Sequence, residues 1–90
     1  MKVLQTNEFT KTVKKLSKQQ KIVLDDAIQA ILDEPKIGDL KVGDLAGVRI
    51  YKFKMEQQLY LLAYESIEQE LMLYLLKLGS HENFYRDLKR

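Results

Sequence analysis

The sequence predicts an α+β fold, in which a helical hairpin packs on one face of a twisted antiparallel sheet and a short helix ends the chain. Apolar residues recur at helical spacing in the first third of the 90 residues. After Gly47, three segments rich in β-branched and aromatic residues follow one another, joined by short polar links. The predicted order is therefore β-α-α-β-β-β-α, and we expect a single domain over residues 1–90.

A short strand and a first helix open the chain. Residues Lys2–Thr6 predict the strand, and Thr6 or Asn7 offers an N-cap for the helix. Apolar side chains recur at i, i+4 and i+7 along this helix, at Phe9, Val13 and Leu16. This spacing places them on one buried face.

A second helix follows almost at once. Ser17 and Gln20 have the spacing of a capping box, so the helix begins there. It ends by Glu34, because Pro35 disfavours the helical conformation of the residue before it. Its expected buried face consists of Leu24, Ala27, Ile28 and Ile31. The short link makes the two helices an antiparallel hairpin.

The second half of the chain predicts a loop, three strands and a final helix. Residues 35–47 hold three of the four glycines and the only proline, which is typical of a long loop. The strands are expected at Val48–Met55, Leu59–Glu65 and Leu71–Leu78, as an antiparallel meander that Gly79 ends. Ser80 can cap a helix over Glu82–Lys89, with Phe84 and Leu88 as its apolar pair.

Composition excludes several classes of protein. An apolar content of 46% argues against wholesale disorder. The chain has no cysteine and one histidine, so we expect no disulfide, no thiolate chemistry, no metal site and no cofactor. No apolar run is long enough to cross a bilayer, and the N-terminus lacks the apolar core of a secretory signal. We therefore expect a cytoplasmic protein with no membrane partner.

The net charge of +2 conceals alternating charged segments. Six lysines and one glutamate give +5 over residues 2–21, and the later segments carry −4 over 22–47, +3 over 48–54, −4 over 55–70 and +2 over 71–90. Local potential steers a charged partner more strongly than the net charge does. The lysines of the first helix, including Lys15 and Lys18, contact either such a partner or only water.

The strand over residues 48–55 is the most informative segment. Alternation directs Tyr51 and Phe53 toward the helices and places Lys52 and Lys54 side by side on the open face. Two ammonium groups about 7 Å apart suit successive contacts with a phosphate. The alternative is an edge strand on which lysines block aggregation.

His81 stands directly after the last strand and belongs to the residue type that titrates near neutrality. Tyr85 lies four residues later, so a helix places the two side chains on one face. Near a lysine pair, an imidazole and a phenol could transfer protons to and from a phosphodiester. The alternatives are a surface histidine and a tyrosine used for packing.

Together these features resemble the RelE/ParE superfamily of bacterial type II toxins. The likeness covers the order of elements, the strand Tyr51–Lys54, the strand Leu59–Tyr64 and the tail His81–Arg90. In the RelE branch, the resemblance implies a metal-independent endonuclease that cuts mRNA in the ribosomal A site by attack of the 2′-OH on the adjacent phosphate. By position, it implies catalytic roles for Lys52, Lys54, His81 and Tyr85, with RNA contacts from Arg49, Arg86, Lys15 and Lys18. An arginine that this branch carries on the second hairpin strand falls at Leu61.

The ParE branch leaves a second function open. The resemblance there implies a DNA gyrase inhibitor that has no catalytic site of its own. A third alternative is a non-toxic module that only binds a partner protein. In either toxin branch the resemblance implies a cognate antitoxin, with an acidic segment where it crosses Lys52 and Lys54.

Overall fold

Five strands and three α-helices make up the part of the chain that the structure describes. This computed structural model describes the backbone of residues 1–88 and the side chains of residues 1–84. The elements in chain order are β1 (Lys2–Gln5), α1 (Asn7–Lys14), α2 (Lys18–Asp33), β2 (Asp39–Leu40), β3 (Arg49–Met55), β4 (Gln58–Ile67), β5 (Met72–Ser80) and α3 (His81–Leu88). Within residues 1–88, no helix has the length and apolar character needed to cross a membrane.

The strands form one sheet in the order β1-β5-β4-β3-β2. β3, β4 and β5 form the antiparallel meander that the sequence predicted. Two other features of the sheet depart from the prediction. β1 pairs with β5 in parallel, and the loop over residues 35–47 contributes β2, which pairs only with Arg49 and Ile50. A strand of two or four residues carries no hydrophobic period that could set its partner or direction, so only the assembled sheet decides them.

The helix boundaries follow the predicted caps. The Thr6 hydroxyl accepts a hydrogen bond from the Phe9 N–H at 3.0 Å, which identifies Thr6 as the N-cap of α1. Ser17 and Gln20 form the predicted capping box at the start of α2. α2 ends at Asp33, and Glu34 is already non-helical before Pro35.

The main core lies between the helical hairpin and the sheet. Phe9, Leu24 and Ile31 from the helices pack against the buried residues Leu62, Tyr64, Leu73, Leu75 and Leu78 of the sheet. Tyr51 and Phe53 pack against the same cluster, with ring centroids 6.1 Å apart, as the alternation along β3 predicted. Burial of this apolar surface is the main stabilising contribution to the fold.

The opposite face of the sheet was expected to be open, and this expectation is wrong for its central part. Ile50, Leu61 and Ala63 are buried there beneath Phe84 of α3. The last strand and the last helix also differ from the predicted boundaries. β5 continues through Gly79 to Ser80, and α3 begins at His81. A Cβ on Gly79 would lie 3.4 Å from Cδ1 of Phe84, so this glycine admits the ring instead of ending the strand.

A β-bulge in β5 ties α1 to the sheet. Ala63 pairs with Lys77, whereas the next residue, Tyr64, pairs with Leu75, so β5 has one extra residue at this point. The Lys77 side chain is only 12% exposed, and its Nζ forms an ion pair with Glu8 in the first turn of α1. The bulge and the ion pair together hold the start of α1 against β5.

Candidate functional site

Lys52 and Lys54 lie on the face of the sheet opposite the helical hairpin. They pair across the ladder with Leu61 and Leu59, which belong to the second cluster together with Ile50. Both lysine side chains are exposed. Their positions, two residues apart on one strand, separate them by about 7 Å. An exposed cationic pair of this spacing can hold a phosphate group.

The outer edge of β3 is unpaired beyond Ile50 among the described residues, because β2 pairs only with Arg49 and Ile50. Lys52 and Lys54 therefore stand on a free stretch of edge. Lysines on such an edge hinder pairing with another strand. Protection of the edge and binding of an anion are compatible, since both require exposed ammonium groups.

α3 places His81 beside the end of this lysine-bearing face. Phe84 is 1% exposed and packs against the sheet, which fixes the helix three residues after His81. Ser80, the residue before His81, pairs with Tyr60 of β4. β5 and β3 flank β4, so two strand spacings, about 10 Å, separate the backbone at His81 from that of Lys54. Side chains from both sides can approach one ligand across this gap.

A cleft of about 260 Å³ opens at the same place. Its lining residues are Gln58, Leu59, Ser80, His81 and Glu82. Leu59 connects the cleft to the lysines, because it is the direct ladder partner of Lys54. The cleft is therefore lined by one apolar residue, three polar or acidic residues and a histidine, and it lies next to the lysine-bearing strand.

The α1–α2 turn lies at the same end of the molecule. Nε2 of Gln20 donates a hydrogen bond of 2.7 Å to Oε1 of Glu56 in the β3–β4 turn. Lys15 and Lys18 flank this α1–α2 turn, and both are exposed. We call this end, with the two turns and the start of α3, the hairpin end. This end of the molecule therefore carries lysines on both faces of the sheet.

The β3–β4 turn has a strained backbone. Glu56 and Gln57 both have positive φ, 55° and 66°. Two-residue hairpin turns with this conformation favour Asn and Gly, because other residues pay a steric cost there. The hydrogen bond from Gln20 helps to hold Glu56 in place, so the turn that follows Lys54 has a defined position.

Arg49 is the predicted site residue that the structure does not bring to the lysines. Its Nη1 donates to the backbone carbonyls of Gly38 at 2.9 Å and Lys36 at 3.3 Å. It lies at the other end of β3, on the side of its ladder partner Tyr64, which belongs to the helix-facing core. A second cleft, of about 380 Å³, borders Arg49, Lys36 and Ser66 there.

Tyr64 fixes the loop next to Arg49. Its hydroxyl accepts a hydrogen bond from the Gly38 N–H at 2.9 Å and donates to the Pro35 carbonyl at 2.8 Å. Burial raises the pKa of Tyr64, while the Gly38 hydrogen bond and the charge of Arg49 oppose this rise in part. The tyrosine is therefore a neutral anchor for the loop and takes no part in the hairpin end.

Two predicted site residues fall outside the described side chains. Tyr85 and Arg86 belong to α3, whose side chains are described only as far as Phe84. Within the part of the chain that is described, no group of three or more His, Cys, Asp or Glu side chains could hold a metal ion.

Sequence reasoning missed four residues of the cleft, Gln58, Leu59, Ser80 and Glu82. Ser80 and Glu82 flank His81 in the chain, and this adjacency was the available signal. Gln58 had none, because its approach to the cleft depends on where β4 begins relative to the end of β5. Leu61, the ladder partner of Lys52, is fully buried in the second cluster and contributes no charge to the site.

Comparison with known proteins places these features in a family. The family model described as ParE-like toxin of type II bacterial toxin–antitoxin system matches residues 3–89. Among curated proteins, none matches the chain.

Solved structures of low sequence identity share the fold. The RelBE2 toxin–antitoxin complex of Mycobacterium tuberculosis contains a chain that is 20% identical, with a TM-score of 0.74 and coverage of 89% of this chain and 96% of that one. The isolated RelE toxin of E. coli is 21% identical, with a TM-score of 0.68 and coverage of 99% and 96%. The intact E. coli RelBE toxin–antitoxin complex contains a chain that is 20% identical, with a TM-score of 0.68 and coverage of 87% of this chain and 93% of that one. These likenesses establish the RelE fold, and the match over residues 3–89 shows that the chain belongs to the ParE-like toxins of type II bacterial toxin–antitoxin systems.

Proposed function

We propose that this toxin is a ribosome-dependent, metal-independent endonuclease that cuts mRNA. The observation that carries the proposal is the arrangement at the hairpin end. Two exposed lysines share one face of β3, and the ladder partner of Lys54 lines the cleft that contains His81. A cationic pair beside a group capable of proton transfer suits cleavage of a phosphodiester.

The reaction uses the 2′-OH of the mRNA itself as the nucleophile. A base at the site takes the proton of this hydroxyl, and its oxygen forms a bond to the adjacent phosphorus. The bond to the 5′ oxygen of the next nucleotide breaks, and a general acid protonates the leaving oxygen. The products are a 2′,3′-cyclic phosphate and a 5′-OH. We assign the proton transfers to His81 and one of the lysines, with Tyr85 as a further member of the site.

The positive charges of Lys52 and Lys54 stabilise the additional negative charge that develops on the phosphoryl oxygens. Lys15 and Lys18 extend the cationic surface along the helices and are proposed to contact RNA. Arg49 and Arg86 remain proposed RNA contacts. For Arg49, this requires a path of RNA that reaches the opposite end of β3.

The proposed partners are the ribosome with its mRNA and a cognate antitoxin in the cytoplasm. Structures similar in fold include a complex of RelE with its antitoxin. A segment of the antitoxin that crosses Lys52 and Lys54 should be acidic, because it would neutralise the exposed cationic pair. The whole of residues 1–90 is proposed to act as one toxin domain.

The test is in vitro translation with the purified toxin, read out by primer extension on the mRNA. We expect codon-linked cuts with 2′,3′-cyclic phosphate ends, and a loss of at least about 100-fold in the cleavage rate for His81→Ala and for Lys52→Ala combined with Lys54→Ala. Lys36→Ala is a matched control, because Lys36 is exposed at the other end of the sheet. Intact mRNA with all proteins would contradict the proposal.

Inhibition of DNA gyrase is the second candidate function. It is favoured by the leucine at position 61, because the resemblance to the RelE branch implies an arginine at this position and Leu61 supplies no charge opposite Lys52. A supercoiling assay with purified gyrase separates the two functions. Inhibition of supercoiling with mRNA left intact would establish the second. Host cells that tolerate strong expression would favour the third alternative, a non-toxic partner-binding module.

A further inference from the structure

We propose that the cleft at the hairpin end binds one nucleobase of the RNA and favours a base that carries an exocyclic amino group. This inference rests on the proposed endonuclease function and adds a specificity determinant to it. It assigns a role to Gln58, Ser80 and Glu82, which line the cleft but have no part in the chemical steps above.

The position of the cleft fits a base next to a phosphate held by the lysines. Leu59 forms one wall and is the ladder partner of Lys54, so the cleft begins one strand away from the cationic pair. His81 forms another wall. A phosphate between the lysines and His81 would therefore leave its own nucleotide beside the cleft opening.

The size and the walls of the cleft suit a single planar ring. Its volume of about 260 Å³ is below the range of about 300–1,000 Å³ that is typical of sites for drug-sized ligands. Leu59 offers an apolar surface, and the imidazole of His81 is one of the ring systems on which RNA bases stack. The side chains of Gln58, His81 and Glu82 are exposed, so a base can enter from solvent.

The polar atoms of the lining determine which base is favoured. Gln58 and Ser80 carry groups that both donate and accept hydrogen bonds, whereas the Glu82 carboxylate can only accept, so Glu82 is the residue that distinguishes the bases. Adenine, cytosine and guanine carry an exocyclic amino group that donates to such an acceptor, whereas uracil presents a carbonyl there. A carbonyl facing a carboxylate would leave both acceptors without a donor, which is unfavourable once water is excluded.

The test is NMR titration of the ¹⁵N-labelled full chain with 3′-CMP and 3′-UMP. These two nucleotides have nearly the same size and the same ribose phosphate, and their bases differ at the amino group. We expect 3′-CMP to bind at least about fivefold more tightly, with shifts at Leu59 and Ser80, because its amino group makes a matched contact that 3′-UMP lacks. Glu82→Ala should bring the ratio of the two affinities toward one.

Two further measurements separate this inference from the function on which it rests. Glu68→Ala removes a glutamate side chain just beyond the other end of β4 and should leave the ratio unchanged. Ribose 5-phosphate reports the phosphate site alone, and its binding should be lost with Lys52→Ala combined with Lys54→Ala. Equal affinities for 3′-CMP and 3′-UMP, with ribose 5-phosphate still bound, would overturn the base site and leave the endonuclease proposal standing. Absence of binding by all three probes, with mRNA left intact, would overturn both.

Discussion

At the scale of single residues, Tyr64 shows how one side chain holds a loop that contains little regular structure. Its ring is fully buried, and its hydroxyl is bonded to backbone groups of both Pro35 and Gly38. Gly38 has no room for a side chain, since a Cβ there would lie 2.9 Å from the tyrosine ring and hydroxyl. The start of the loop is therefore fixed by contacts from a residue 26 positions later.

Removal of this hydroxyl should destabilise the fold without affecting the hairpin end. In Tyr64→Phe, the buried N–H of Gly38 loses its acceptor, so we expect the free energy of unfolding to fall by about 1–3 kcal/mol. Urea unfolding followed by circular dichroism measures this change. Cleavage of mRNA by the folded variant should remain at the wild-type level. A variant as stable as the wild type would contradict this role of the hydroxyl.

The raised pKa of Tyr64 predicts a pH dependence with a definite sign. Burial raises this pKa above the ordinary value of 10.0, so the folded protein keeps the phenolic proton to a higher pH than the unfolded chain does. The contribution to stability is complete below pH 10.0 and is lost as the pH rises through the higher pKa of the folded state. Above pH 10.0, the wild type should therefore lose stability more steeply than Tyr64→Phe as the pH rises through the folded-state pKa. Parallel stability curves in urea unfolding would contradict the prediction.

At the scale of elements, Phe84 anchors α3 on the sheet. Phe84 packs in the space that Gly79 leaves open and covers Ile50, Leu61 and Ala63. The same packing determines where His81 stands, because His81 is the first residue of the helix. Packing in the second cluster is therefore linked to the geometry of the candidate site.

Phe84→Ala should release this helix from the sheet. Truncation of a buried phenylalanine costs about 3–5 kcal/mol of unfolding free energy, and the cost here should concentrate on the docking of α3. We expect faster hydrogen exchange of the α3 amides, together with a lower rate of mRNA cleavage. Phe84→Leu keeps most of the apolar surface and should restore both. Unchanged protection of the α3 amides in Phe84→Ala would show that other residues hold the helix.

At the scale of the whole molecule, charge is divided between the two ends of the sheet. The hairpin end carries the exposed lysines of the helical hairpin and of β3: Lys14, Lys15, Lys18, Lys21, Lys52 and Lys54. The opposite end carries most of the acids, from the end of α2, the loop and the β4–β5 turn: Asp33, Glu34, Asp39, Asp44, Glu65, Glu68 and Glu70. The net charge is only +2, but the molecule is dipolar because its charges are separated between the two ends. A polyanion should therefore approach it at the hairpin end.

This polarity predicts which charge reversals weaken binding to ribosomes. Lys15→Glu combined with Lys18→Glu should lower the affinity and reduce the slope of log affinity against log salt by about 1 for each phosphate that the variant no longer neutralises. Glu68→Lys combined with Glu70→Lys changes charge at the opposite end and should have little effect. Ribosome pelleting over a series of salt concentrations measures both. Equal effects of the two double variants would mean that only net charge matters.

The amino-acid sequence alone determined the features that depend on neighbours in the chain. The capping residues Thr6 and Ser17 and the stop before Pro35 act within a few residues of backbone, so they were predicted correctly. The alternation that separates Tyr51 and Phe53 from Lys52 and Lys54 follows from the pleat of any strand, and it was predicted with equal success.

Only the tertiary structure decided the features that depend on distant partners. The parallel pairing of β1, the short strand β2, the burial of Leu61 under Phe84 and the bonding of Arg49 to loop carbonyls all join residues far apart in the chain. The cleft that Gln58 shares with His81 has the same origin, because the end of β5 meets the start of β4 only in the folded sheet. Sequence periodicity specifies which face of an element is apolar, whereas long-range packing specifies which element covers that face.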